Sequence, residues 1–213
     1  PDVTPVLQST PGIGDFATNR TETAILIIGL IYLAASACNL LIPKTNITYP
    51  KQKSSPFALI KDFKGYVCVL WKDKLGQISL AVTTLFWGAG ATLQFIVIEW
   101  GAEQLGYRLD QSSILMGVAA IGTILGAYLA GKVPLNRSLS VLPMGVAMGL
   151  VVLLMPFVKS TWAVYSLLLL IGATSGFFVV TMNALLQHRG HVLLSAGHSI
   201  AVQNFNEQLN MLI

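Results

Sequence analysis

Near the C-terminal end of the chain, one carboxylate and several amides recur at a spacing that could do chemistry. Gln203, Asn206, Glu207 and Asn210 fall at i, i+3, i+4 and i+7, with Asn204 and Gln208 beside them. On a helix that spacing gathers the first four onto one face. The neighbouring residues are apolar enough for a membrane segment, where a carboxylate is costly unless it meets water, a partner or a substrate. Asn183 and Gln187, four apart, and Gln94, beside Phe95 and near Trp87, are further polar groups inside apolar stretches. Such groups either line a path for a polar ligand or bond neighbouring helices, and the last segment could instead begin at the membrane interface.

Other apparent motifs do not survive inspection. Gly126–Lys132 spells Gly-x-x-x-x-Gly-Lys, but Val133 follows where a phosphate-binding loop needs Ser or Thr for Mg²⁺. Cys38 falls within an apolar stretch and Cys68 within a basic loop, so they make poor disulfide partners. His188, His191 and His198 have no Cys or carboxylate at ligand spacing, so no metal or other cofactor is expected, and a helix-end cation role suits them better. Acyl transfer by a His with an Asp five residues on is also absent, because Leu193, Ala196 and Gln203 occupy those positions. Asn19-Arg20-Thr21 fits a glycosylation acceptor, a pattern short enough to arise by chance.

The elements that must position the polar groups follow from composition. Of 213 residues, 54% are hydrophobic and only 10% charged, against about 25% charge in soluble domains. Charges cluster between neutral stretches that approach the ~20 residues needed to cross ~30 Å of hydrocarbon as a helix. Spans are expected at 24–42, 78–100, 112–131, 138–158 and 162–186, with a sixth at 194–213 that runs off the chain. All must be helices, because unpaired backbone groups facing lipid cost several kcal/mol each. Pro143 and Pro156 fall inside the 138–158 stretch, where neighbouring helices can satisfy the freed carbonyls.

Ten of the thirteen Lys and Arg residues lie on one side of this alternation, seven of them in the loop 43–77. That side is expected to be cytoplasmic, with residues 1–23 a periplasmic loop. Within the basic loop, Ser55-Pro56 reads as an N-cap followed by proline at the first helical position. Phe57, Ile60, Phe63, Val67, Leu70 and Trp71 then recur at helical spacing among lysines. Such a helix either lies on the cytoplasmic leaflet, drawn to anionic lipid, or packs against the spans as a linker. Gly122/Gly126, Gly145/Gly149 and Gly172/Gly176 place close-approach faces on three successive spans and favour a tight bundle.

Specific blocks carry a resemblance. Leu85-Phe86-Trp87-Gly88-Ala89-Gly90-Ala91-Thr92-Leu93 resembles the seventh helix of the bacterial lysophospholipid transporters of the major facilitator superfamily. Gly176–Val180 followed by Asn183–Gln187 and Arg189-Gly190 is similar to their tenth, and Ile200–Asn204 with Glu207 to their eleventh. Asn39–Lys44 resembles the end of the sixth, so the likeness covers nearly everything after about residue 26. It implies an all-α, polytopic integral-membrane bundle, part of a twelve-helix fold. The chain, which opens at Pro1 without a starting Met or signal peptide, would be a piece holding helix six to part of helix eleven. Residues 24–42 would end the N-terminal bundle, 43–77 would bridge the bundles, and 78–213 would form most of the C-terminal one.

The resemblance further implies transport, without catalysis, of lysophospholipids (chiefly lysophosphatidylethanolamine) from the outer to the inner leaflet of the bacterial inner membrane for reacylation. The lipid's tail can stay among apolar helix faces while its head needs a polar path, assigned to Gln94, Asn183, Gln187, Gln203, Asn204 and Glu207. Partners would be the lysophospholipid, membrane lipids and an acyltransferase, separate or fused, and no nucleic acid. Two departures stand out: Gln94 replaces an arginine of the family pattern, and Thr181 a proline. The segment before residue 24 is also longer than the pattern. The alternatives are the transporter portion of a fused acyltransferase protein, or a facilitator for another solute such as a drug or sugar.

Overall fold

The computed structural model of the chain describes residues 20–42, 55–158 and 160–213. The positions of Asn19, Lys44, Lys51, Lys53 and Lys159 lie outside them. Two compact units are present, residues 1–51 and 52–213. The first contributes helix α1, Arg20–Asn39.

In its described residues the second unit forms helices joined by short turns. It runs α2, Pro56–Lys72; α3, Lys74–Leu105; α4, Leu109–Ala130; α5, Leu142–Leu154; α6, Thr161–Leu193; and α7, Ala196–Leu212. Five stretches across the two units are long and apolar enough to cross a membrane: Thr21–Asn39, Lys74–Leu105, Gln111–Ala130, Leu135–Phe157 and Thr161–Leu193. The chain is thus an all-α, polytopic membrane protein, and many of its Ile, Leu and Val side chains are exposed.

Several boundaries differ from those read off hydropathy. The 78–100 and 162–186 spans are cores of longer helices, since a helix satisfies its own backbone and need not stop where the apolar run stops. α6 continues through Gln187-His188-Arg189 to Leu193. α3 stops only at Gly106, whose φ of 65° is the left-handed conformation that ends a helix cheaply in glycine; the Tyr107 N–H then donates to the Gly101 carbonyl at 3.3 Å. The 138–158 stretch is not one α-helix. Leu135–Val141 and Met155–Phe157 are 3-10 turns flanking α5. Pro143 and Pro156 therefore mark the ends of α5 rather than interrupting it, which avoids the lost hydrogen bond of an interior proline. Ser55 does occupy the N-cap position of α2, with Pro56 following, but its hydroxyl makes no capping bond.

α6 is the centre of the second unit: a third of its apolar window is buried, against 11% for α3. Its contact with α4 is made by the glycines. A methyl group added to Gly122 or Gly126 would strike the backbone of Leu169 and Ala173, and one added to Gly172 or Gly176 that of Ala119 and Thr123. Two of the three Gly-x-x-x-Gly motifs are thus each other's partner. The third is half used: Gly145 makes room for the Phe178 ring, whereas Gly149 faces open space.

α2 lays one side on the bundle. Leu70 is fully buried with Leu80 of α3, Leu186 of α6 and Val202 of α7, and Phe63, Tyr66 and Val67 join them. The Phe63 ring meets Phe205 edge-on at 5.2 Å, and Tyr66 stacks on His198 at 4.1 Å. At the opposite end, Leu115, Met155, Val164 and Leu168 form a second core with Val97, Trp100 and Tyr107. The start of α3 thus lies with the end of α6, as an alternating bundle requires.

Candidate functional site

The polar face of α7 turns inward. Gln203 and Glu207 are buried, each about 8% exposed, although α7 is amphipathic enough to have shown them to water. Gln203 is the joint. Its amide nitrogen donates to the Glu207 carboxylate, one turn along α7, at 2.8 Å, and to the Asn183 side-chain oxygen on α6 at 2.9 Å. Both amide hydrogens are committed, which fixes the orientation of the side chain: reversing it would set a carbonyl oxygen against the carboxylate. Among the described residues Glu207 has no ion-pair partner, only this neutral donor.

A second polar contact fixes α7 against α3. The Asn210 amide donates to the Thr84 carbonyl at 3.0 Å, and it lies where a side chain at Gly88 would have to go. Gly88 is therefore a notch for this amide. Asn206 turns back on its own helix and donates to the Val202 carbonyl at 2.7 Å. The i, i+4, i+7 series of Gln203, Glu207 and Asn210 holds α7 to both α6 and α3, while Asn206 remains local.

The structure unites only three of the six residues assigned to a polar path. Asn183, Gln203 and Glu207 are linked; Gln94, Gln187 and Asn204 are exposed and stand apart from the trio. Gln187 lies one turn beyond Asn183 on α6, and Asn204 points away because it is adjacent to Gln203, about 100° around the helix.

One polar pair was not legible from spacing. Asp73, between α2 and α3, accepts from Arg189 near the end of α6, through Nε at 2.9 Å and a terminal nitrogen at 2.5 Å. This two-point pairing matches the planar guanidinium to the carboxylate. Asp73 also caps α3, accepting from the Gly76 N–H at 2.8 Å. Arg189 foremost, with the Gly76 N–H, holds the Asp73 carboxyl below the usual carboxylate range, against the opposing effect of partial burial. The only sequence hint was an acid, followed by Lys74-Leu-Gly, at the threshold of a span; its partner is 116 residues away.

In the Gly126–Lys132 stretch, Gly126 is pressed against α6, and the Lys132 ammonium sits over the Tyr128 ring at 4.9 Å. Among the described residues no three His, Cys, Asp or Glu side chains converge as metal ligands.

Comparison with known proteins gives a consistent picture. The family model described as Major Facilitator Superfamily matches residues 10–210. The chain is 38% identical over 192 residues to a lysophospholipid transporter of Pectobacterium carotovorum, covering 89% of this chain and 47% of that protein. It is 37% identical over 202 residues to the lysophospholipid transporter of Serratia proteamaculans, covering 94% and 51%. For that of Photorhabdus laumondii the figure is 35% over 204 residues, again 94% and 51%. The chain spans about half the length of these curated relatives. No solved structure matches.

Proposed function

The chain belongs to the Major Facilitator Superfamily, and from that premise we propose that it forms part of a bacterial inner-membrane carrier of lysophospholipids, with lysophosphatidylethanolamine as the main substrate. The carrier moves its lipid from the outer to the inner leaflet, where an acyltransferase, fused or separate, restores the second chain. The reading assigns no catalysis to these residues. Its support is the relatives' named substrate, together with one feature of this chain: the buried carboxylate of Glu207, bonded to a neutral amide.

An ionised carboxylate inside a membrane helix costs roughly 2.5 kcal/mol or more unless it is solvated or paired. A lysophosphatidylethanolamine headgroup carries an ammonium group that offsets this cost on arrival. Gln203 and Asn183 hold the carboxylate in place meanwhile and link α7 to α6, so headgroup binding acts on the contact between two helices. That is the kind of contact alternating access must rearrange. Gln94, Gln187 and Asn204, exposed and apart from the trio, are assigned to the headgroup's path toward it.

The test is uptake of lysophosphatidylethanolamine into vesicles by the full-length protein bearing Glu207→Gln. Glutamine keeps the shape and can still bond to Gln203, so expression and folding are retained while uptake is abolished. Wild-type uptake by this variant would remove Glu207 from the site.

A further inference from the structure

We propose that the outward face of α2 is a docking surface for the anionic phospholipids of the adjacent membrane leaflet. α2 has two faces. The inner one, centred on Leu70 (0% exposed), is packed against α3, α6 and α7. The outer one carries Phe57, Ile60, Lys61, Lys64, Trp71 and Lys72, at positions that recur every three or four residues and so form one stripe. Phe57 is 84% exposed and Ile60 66%, and Trp71 and the three lysines are exposed with them. No acidic residue falls on the stripe; Asp62 is half-buried and turned about 100° from Lys61.

Two observations select lipid as the occupant. The first is charge and shape. Large apolar side chains interleaved with lysines, and a tryptophan at one end, match a surface that is apolar below and anionic above, with lysine stems lying along the apolar part and their ammonium groups reaching phosphate. A water-facing helix would have no use for Phe57 and Ile60, and a protein groove would take the apolar residues without three lysines among them. The second is connection. α2 is separated from the membrane-crossing α3 by Asp73 alone. Asp73 caps α3 and is held by Arg189 at the end of α6, so α2 is fixed beside the rim of the bundle where the hydrocarbon begins. With its inner face taken by the bundle, the outer face is the one left for the leaflet.

The inference does not depend on which solute is carried. It makes α2 a strap with lipid on one side and the α6/α7 contact on the other, so that leaflet charge bears on the bundle's basic end.

Cys68 lies on the same stripe and is exposed, which gives a native reporter. In the full-length protein with other cysteines replaced, Cys68 carrying a nitroxide is reconstituted in phosphatidylcholine vesicles with and without phosphatidylglycerol. Collision with oxygen and with a water-soluble nickel chelate then measures its depth. The expected result is a shift toward oxygen accessibility when phosphatidylglycerol is present, reversed in the Lys61→Gln, Lys64→Gln, Lys72→Gln protein. Each lysine should change the docked-to-free ratio about five-fold. Equal nickel accessibility in both vesicle types would overturn the proposal. So would low collision of Cys68 with both oxygen and the nickel chelate in both vesicle types, since another part of the protein would then cover the face.

Discussion

Gln203 and Asp73 each engage two further residues with one side chain, yet they do so in media that set different rules. Gln203 works inside the bundle, where its two amide hydrogens are shared between Glu207 and Asn183. Asp73 works at the rim, where one carboxylate caps α3 and binds Arg189. Because the Asp73 carboxyl is held below its ordinary value near 3.9, its contribution is complete above that value. It fades as the pH falls through the lower, folded-state value. Asp73→Asn keeps a capping side chain but loses the charge. Thermal unfolding of the full-length protein in detergent should show the variant melting below wild type at neutral pH, by on the order of a few degrees because both partners are partly exposed. The gap should close only below about pH 4. A gap unchanged at pH 3, or absent at pH 7, would mean that the pair contributes nothing.

Among the elements, α4 and α6 touch backbone to backbone, whereas α3 and α7 touch through side chains. Gly126→Ala pushes a methyl group into the Ala173 carbonyl and should cost about 1–3 kcal/mol as overpacking. Gly149→Ala meets open space and should be neutral, or stabilising by up to about 1 kcal/mol, since alanine loses less entropy in a helix. Parallel melts of the two variants check this; equal destabilisation would refute the assigned contacts. Both glycine pairs looked alike in sequence, because a four-residue spacing encodes a face and not what the face meets. The same limit applies to the polar residues. The i, i+4 relation of Gln203 and Glu207 could be read directly, but the bond from Gln203 to Asn183 depends on how α7 sits on α6. Hydropathy located the five stretches long and apolar enough to cross a membrane and missed that α6 carries on past Arg189, since charge ends an apolar run without ending a helix.

For the molecule as a whole, the alternation of α3 to α7 places Lys74, Lys132 and Arg189 toward one end of the second unit and Glu103 and Arg108 toward the other. From the excess of Lys and Arg at the first end we propose that it faces the cytoplasm. In a cysteine-free full-length background, Glu103→Cys should react with an impermeant thiol reagent added outside sealed cells, and Arg137→Cys should react only after the cells are opened. The reverse pattern would invert the assigned orientation. Charge counting can propose a direction for the bundle because it needs only the sequence positions of Lys and Arg. Which helices become neighbours depends on packing surfaces, and those emerged only with the fold.

The meshed glycines also govern how this protein can change over generations. Gly122, Gly126, Gly172 and Gly176 abut backbone atoms, which no substitution can shorten, so a mutation there has no local suppressor. Gly88 instead abuts the amide end of Asn210, which can be trimmed. That contact retains a two-step escape: the larger residue on one helix, then the smaller on the other. Drift is therefore open between α3 and α7 and closed between α4 and α6.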